Sequence, residues 1–312
     1  MRNRIKLDHI NCEICSKKNS IFFCSTYDYS YNSSDQKFNY FKCKTCNVIF
    51  LKNRPKFKSY KLIYTDNYKA FNNSLGSIFF TFSSLIGNLL KIKLFKKYLK
   101  GSNKILEVGA GNAQLLRLLG FFLKIPKNNF EIIEEDQSTI KKLKKYKFKV
   151  RKNYFEKINI KSKRFKLIIM NQVIEHLKNP KKYFKKLNKI LVSDGILYIE
   201  TPTIDYFKSN DTNKSLWGGL HAPRHMYIYN KSSIIKIAAK YGFKEISSNY
   251  IISPYLLYET VKAKLIKKNL NFFEPFISIY NPLALGIYII LDIINIKILK
   301  RYSNMRVILK KV

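Results

Sequence analysis

Residues 104–113, Lys-Ile-Leu-Glu-Val-Gly-Ala-Gly-Asn-Ala, restrict the fold more than any other stretch of this chain. A short apolar strand carries an acid near its end, and a glycine-rich turn then opens an amphipathic helix. Gly109 and Gly111 allow a tight bend and let backbone N–H groups approach a ligand with no Cβ in the way. Glu107 sits at the carboxyl end of the strand. Such a turn marks a nucleotide-cofactor site when the rest of an α/β unit follows. Here it does: Phe130-Glu131-Ile132-Ile133 reads as the second strand. Glu134 closes that strand about 20 residues past the glycines, where an acid accepts both hydroxyls of a ribose.

Three more stretches carry the same message: Phe-Lys-Leu-Ile-Ile-Met-Asn-Gln-Val-Ile-Glu-His-Leu (165–177), Asp-Gly-Ile-Leu-Tyr-Ile-Glu-Thr-Pro (194–202) and Ala-Pro-Arg-His-Met-Tyr-Ile-Tyr (222–229). With them, residues 60–312 resemble the class I S-adenosylmethionine (SAM)-dependent methyltransferases. A dinucleotide dehydrogenase would share the first marker but not the Val-Ile-Glu-His-Leu turn. The resemblance implies an α/β fold with a doubly wound, seven-stranded, mostly parallel Rossmann-like sheet. It also implies SAM at Glu107, Gly109, Ala110, Gly111, Asn112, Glu134 and Asn171. Two positions depart from the family pattern. Ala113 replaces the third glycine, where only smallness is needed, and Lys166 replaces the usual acid of the fourth strand, away from the cofactor.

Composition bounds the rest. A chain of 312 residues with 46% hydrophobic content can bury one full core plus a small module. Its net charge of +39 suggests nucleic acid or an anionic membrane as partner. However, Lys, Ile, Asn, Phe and Tyr are inflated together, as a nucleotide-biased genome would produce. The lysines are scattered, as in Lys141, Lys142, Lys144 and Lys145, and such positions form a solvated helix face. Nucleic acid is therefore not the expected partner. No cleavable signal is visible behind Met1–Asp8, so a cytoplasmic location is expected. The runs Ser74–Leu90 and Pro282–Leu299 fall short of spanning length. Lys91, Lys93, Lys96 and Lys97 follow the first run, which allows peripheral contact with the inner membrane face beside the simpler reading as a lid or core helix.

The cysteines mark a second module. Cys12-Glu-Ile-Cys15 and Cys43-Lys-Thr-Cys46 are two knuckles with the spacing at which paired thiolates share a tetrahedral zinc. Disulfides are not expected in a reducing compartment. A structural zinc apart from the chemistry is the expectation, with Cys24 left over as a small buried side chain.

These anchors give a coarse map. Residues 1–55 form the zinc module, and 56–100 a connection and helix, with Tyr60, Tyr64 and Tyr68 in the former and Leu75–Leu99 as the latter. Residues 101–312 form the methyltransferase domain, with a helical insertion at about 252–303 broken near Pro275. Strands are expected near 104–108, 130–133, 147–151, 166–170 and 196–200, alternating with helices near 112–123, 137–146, 180–192 and 231–241; Phe243–Ile251 and Asn304–Lys311 complete the sheet as an antiparallel pair.

Ligands of such a sheet bind outside the carboxyl ends of its strands. The chain has only four histidines, and three fall in loops at those ends: His176 after the fourth strand, His221 and His225 after the fifth. A base among them would remove a proton from the acceptor as the methyl group is transferred. Glu175 would orient His176 or act itself. Some relatives hold a divalent metal with Glu-x-x-Glu-His in this turn, but here the first position is Gln172, which argues against a catalytic metal.

Absences narrow the acceptor. No cysteine follows Cys46, so a thiolate-dependent route to pyrimidine carbon is closed. Asn171-Gln172-Val173 is not the Asn-Pro-Pro-Tyr turn of enzymes acting on exocyclic amines, and no three-cysteine cluster serves radical chemistry. Oxygen, or a carbon activated by a carbonyl, remains. Chains that join a Cys-x-x-Cys pair to this core and to a loop like Trp217–His225 often accompany surface-polysaccharide or natural-product sugar pathways. A nucleotide- or lipid-linked sugar is therefore the expected small-molecule acceptor. Related C-methylating enzymes usually carry a further carboxyl-terminal domain, which favours oxygen. The alternative is an RNA methyltransferase docking through the zinc module and basic surface. A binding protein on a disabled fold is disfavoured by the intact Glu107, Gly109, Gly111 and Glu134.

Overall fold

The computed structural model describes residues 4–64, 78–99, 103–160 and 164–312. Tyr68 and the start of the helix expected at Leu75 lie outside these residues. In the amino-terminal part, β1 (Leu7–His9) pairs with β5 (Asn53–Pro55), while β2 (Ser20–Thr26), β3 (Phe38–Cys43) and β4 (Ile49–Leu51) form an antiparallel meander. A short helix α1 (Tyr60–Ile63) leads towards α2 (Ile78–Lys96).

The expected alternation then follows: β6 (Ile105–Val108), α3 (Gln114–Phe122), β7 (Phe130–Glu134), α4 (Gln137–Lys144), β8 (Lys149–Lys152), β9 (Phe165–Asn171), α5 (Pro180–Ile190) and β10 (Leu191–Pro202). Every residue of β6 and β7 is buried, as strands covered on both faces by helices must be. Helices start where the sequence supplies caps. The Asp136 carboxylate accepts from Thr139 N at 2.6 Å to open α4, and Asn179 with Pro180 opens α5.

β11 (Tyr227–Ile228), α6 (Lys231–Ala239) and β12 (Phe243–Ile251) come next. The insertion is α7 (Pro254–Lys267), α8 (Glu274–Ile277) and α9 (Pro282–Lys297), and β13 (Asn304–Lys311) closes the chain. The main sheet has seven strands in the order β12-β13-β10-β9-β6-β7-β8. It is parallel from β10 to β8 and antiparallel at the β12–β13 edge. This is the doubly wound Rossmann-like sheet expected from the motifs.

Two features differ from the sequence reading. β10 begins at Leu191 rather than near 196. Its register shifts between Leu191 and Ile196, where Asp194 has φ 60°, so a stretch that reads as a turn is an irregularity inside a strand. The amino-terminal 55 residues are also not set apart. β11, from the far end of the chain, pairs antiparallel with β4 and completes a four-stranded sheet, β11-β4-β3-β2. One continuous apolar core runs from Phe38 and Phe50 through Tyr227 and Tyr229 to Ile174 and Leu187.

Candidate functional site

At the carboxyl ends of β6, β7 and β9 lies a cavity of about 160 Å³, lined by Gly109, Gly111, Glu134, Gln172 and His176 together with Tyr60, Tyr64, Tyr154 and Phe155. The glycine turn is built as a cradle. Gly109 (φ 66°) and Gly111 (φ 54°) both occupy the left-handed region, and a Cβ on Gly109 would stand 3.0 Å from Val173 Cγ2. Ala113 is fully buried at φ 51°, so the third small position is filled without a glycine. Ala110 and Asn112 complete the turn, and the Asn112 side chain accepts from Gln114 N at 3.0 Å, at the start of α3.

The two acids meet this cradle in different ways. Glu134 is buried, and its Oε1 accepts from Glu135 N at 2.9 Å and Asp136 N at 3.1 Å. Burial still raises its carboxyl above the usual range. Glu107 is buried with its Oε2 lacking a hydrogen-bond partner, and burial pushes its carboxyl up to about 8. A buried acceptor left this way is costly unless a ligand supplies a donor. Orphaned acid, cradle and spaced second acid fit an adenosyl cofactor with a cationic amino acid tail. Asn171 ends β9 beside this turn, with its side chain held by two other elements. With its amide turned to satisfy both neighbours, it reaches Glu200 Oε2 at 2.9 Å and Lys91 Nζ at 3.3 Å, beside a buried Lys91–Glu200 pair of 2.6 Å. Gln172, the next residue, lines the cleft instead.

Three of the four histidines come together, as their loops imply. The His176 and His225 rings are 4.6 Å apart, and those of His221 and His225 4.9 Å. His176 lines the cleft, with its Nδ1 3.1 Å from the Tyr64 hydroxyl. His225 Nδ1 lies 2.8 Å from the Gly219 carbonyl, which can only accept, so Nδ1 carries the proton. Its Nε2 then faces Glu175 Oε1 at 3.9 Å. Glu175 is wholly buried: Thr201 donates to its Oε2 at 2.9 Å, Oε1 has no hydrogen-bond partner, and burial pushes the carboxyl up to about 8. Burial holds His176 and His221 well below the usual imidazole range and His225 down to about 4. Burial thus favours the neutral form of all three imidazoles. His221 is the outlying member, 3.5 Å from Ser30 Oγ and edge-on to Tyr31. Glu175, His176 and His225 also offer ligand atoms within 4.8 Å of one another, although the sequence argues against a metal in this turn.

The amino-terminal sheet holds this cluster in place. The Tyr40 hydroxyl lies 2.8 Å from the carbonyls of both Leu220 and His225, which share its single proton. Arg224, fully buried, forks onto Asp28 at 3.0 and 3.1 Å and donates to Ile63 O at 2.6 Å. Burial alone would raise the Asp28 carboxyl; Arg224 outweighs it and holds the group below the usual range. Glu13, inside the first cysteine knuckle, pairs with Arg54 and accepts from Tyr227 at 2.7 Å. The sheet that carries the cysteines thus touches the histidine loop, through the Tyr40 hydroxyl of β3.

Cys12, Cys15, Cys43 and Cys46 converge. The Cys12–Cys46 and Cys15–Cys43 sulfurs are each 3.4 Å apart, and all four lie within 4.8 Å of one another. Four thiolates around a tetrahedral zinc have edges of about 3.8 Å for bonds of about 2.3 Å, so this set fits with little adjustment. Cys24 lies outside the cluster, buried on β2 with its thiol pushed up to about 12 by that burial. Among residues the sequence did not single out as lining the cleft are Tyr60, Tyr64 and Tyr154. The tyrosine spacing of the connection was visible, but not its docking against β9. Tyr206 is stacked on Trp217 at 5.5 Å and is not part of the cleft lining.

Sheet order, glycine cradle and paired acids define a class I SAM-dependent methyltransferase. A family model described as a methyltransferase domain matches residues 84–248, and the chain belongs to that family. Solved structures agree on the fold. Phosphoethanolamine N-methyltransferase 2 of Haemonchus contortus, solved with SAM, superposes with a TM-score of 0.56 at 15% identity, over 94% of this chain and 68% of that one. The same protein with phosphomonomethylethanolamine and S-adenosylhomocysteine gives 0.57 at 16% identity, over the same shares. A Galdieria sulphuraria protein provisionally described as a sarcosine dimethylglycine methyltransferase gives 0.52 at 17%, over 73% of this chain and 86% of that one. No curated protein matches the sequence.

Proposed function

We propose that the protein methylates a small-molecule acceptor, an oxygen or a carbonyl-activated carbon of a nucleotide- or lipid-linked sugar, in surface-polysaccharide biosynthesis. The observation that carries this reading is His176 at the cleft wall, with the Tyr64 hydroxyl 3.1 Å from its Nδ1 and the His225 ring 4.6 Å away. SAM, when bound, supplies a methyl group on a sulfonium, open to in-line displacement. Glu134 would hold the ribose hydroxyls, and Glu107 the cationic tail. Tyr60, Tyr154 and Phe155 would wall the acceptor from water, a large part of the work in a reaction limited by alignment. The acceptor's hydroxyl proton would pass to the Tyr64–His176 pair, with His225 and Glu175 fixing the ring from the buried side.

We further propose that the four cysteines hold one structural zinc, which sets the amino-terminal sheet and, through Tyr40, the loop that carries His225.

The test is a tritiated-SAM assay on nucleotide-linked sugars, lipid-linked sugars and bulk RNA at two salt concentrations. The expected result is methylation of a sugar conjugate with little salt dependence. Methylation of RNA, falling by orders of magnitude between about 50 and 200 mM salt as several phosphate contacts are screened, would replace the sugar reading with the nucleic-acid one.

A further inference from the structure

Two neighbouring helices turn towards water the faces that an ordinary soluble surface would charge. On α9 the inward positions Ala284, Leu285, Tyr288 and Asp292 are buried, while Leu283, Ile287, Ile290 and Leu291 on the opposite side are exposed, Leu283 to 78%. The sole acid of this helix is therefore hidden, and no charge stands on its outer face until Lys297. α2 repeats the arrangement. Asn88, Ile92 and Phe95 face inward; Phe82 (59% exposed), Ile86, Leu89 and Leu90 (61%) face out, and the same face continues into Lys93 and Lys97. The two helices touch, and α3, which packs on α2, carries the exposed Phe121 and Phe122 at its end. Apolar surface of this extent marks a site of interaction.

The charges around it choose the occupant. α2 has no acid along its length. The exposed Lys264, Lys267 and Lys268 close α7, which packs against α9, and Lys297 and Lys300 close α9 itself. A second copy, itself carrying a net charge of +39, would bring these lysines against one another. A bilayer with anionic headgroups meets both features at once, taking the apolar stripe into its interface and pairing the lysines with phosphates. Among the described residues no single helix is long and apolar enough to cross a membrane. The segment Asn271–Ile277 meets α9 at an angle of 85°.

We propose that the outer faces of α2 and α9 form an interfacial docking surface for an anionic lipid membrane. From its inward side, opposite this surface, α2 reaches the start of α3 beside the glycine turn: Gln114, three residues past Gly111, accepts from Ser84 and Asn88, each at 3.0 Å. This surface stands whatever the methyl acceptor is.

The experiment is co-sedimentation of the full chain with vesicles of phosphatidylcholine alone and with added phosphatidylglycerol. Binding to the phosphatidylglycerol vesicles, weakened by salt, is expected. Lys93→Glu with Lys97→Glu should lower partitioning roughly tenfold or more. Ile287→Ser with Ile290→Ser should lower it comparably, with SAM affinity and thermal melting unchanged because these side chains face water. Absence of vesicle binding, or binding that both double variants retain in full, overturns the proposal. So does a concentration-dependent dimer that Ile287→Ser with Ile290→Ser dissociates while vesicles remain unbound; that result would give the face to a second copy.

Discussion

The two halves of the cleft are made in opposite ways. The cofactor half comes from one stretch of chain: β6, the Gly109–Gly111 turn and β7 lie within residues 105–134, and their parts meet because they are near in sequence. The half that we assign to the acceptor is assembled from distant pieces. Tyr64 reaches His176 across 112 residues, Tyr40 reaches His225 across 185, and Asp28 reaches Arg224 across 196. A local site is specified by a motif, and an assembled one by the completeness of the fold around it. Mutations in the first half should therefore act on binding alone, whereas mutations far from the cleft should disable the second.

Removal of the proposed zinc should have the largest effect. Cys12→Ser, or a strong chelator, is expected to melt the amino-terminal sheet, since the metal in a module of this size contributes folding free energy outright. Turnover should fall with it, because Tyr40 no longer fixes the His225 carbonyl. Circular dichroism and metal analysis on one sample check this, and full turnover by metal-free protein would break the coupling between the halves.

Next is Arg224→Ala, which leaves Asp28 buried without its partner and should cost about 3–5 kcal/mol in urea unfolding. A loss below about 1 kcal/mol would mean that the pair is replaceable by water.

His176→Ala and His225→Ala should each lower kcat about a hundredfold, with SAM affinity by calorimetry nearly unchanged. Glu134→Ala should show the reverse pattern, weakening SAM by about 1–3 kcal/mol. Equal effects of both kinds of variant on cofactor and turnover would erase the distinction between the halves.

The smallest effect is on pH. Burial depresses the histidine values, so if one of them is the base, as we propose, the acid limb of kcat against pH should lie below the ordinary 6.5 of imidazole. For stability, the same depression means that the unfolded chain takes up protons first. The contribution is intact above 6.5 and is lost as pH falls towards the folded value, about 4 for His225. A limb at 6.5 or higher would point to a solvent-exposed base instead.

What the sequence discloses follows the same division. The glycine turn, the acids at 107 and 134 and the two cysteine knuckles are legible because residue type, backbone need and spacing coincide in short windows. The gathering of His176, His221 and His225 is legible because sheet topology sends both of their loops to one edge. The pairing of β11 with β4 is not: Tyr227-Ile228 is two residues long, carries no period, and becomes a strand only because β4 offers an edge. Nor is the role of Arg224 legible, since nothing near it in sequence marks Asp28 as its partner. Asn171 teaches the converse. It stands where the motif expects a cofactor residue, yet Lys91 and Glu200, from two other elements, surround it.

The Asp28–Arg224 pair also sets a timetable. During synthesis the chain must grow by 196 residues from Asp28 before the guanidinium can meet its carboxylate, roughly 10–40 s at about 5–20 residues per second. For most of that interval β2, β3 and β4 are already made, with Asp28 uncompensated and the outer edge of β4 open to any other strand. The amino terminus of this protein is thus first to be born and among the last to be finished, and the nascent chain is most exposed to mispairing while its catalytic domain is being assembled.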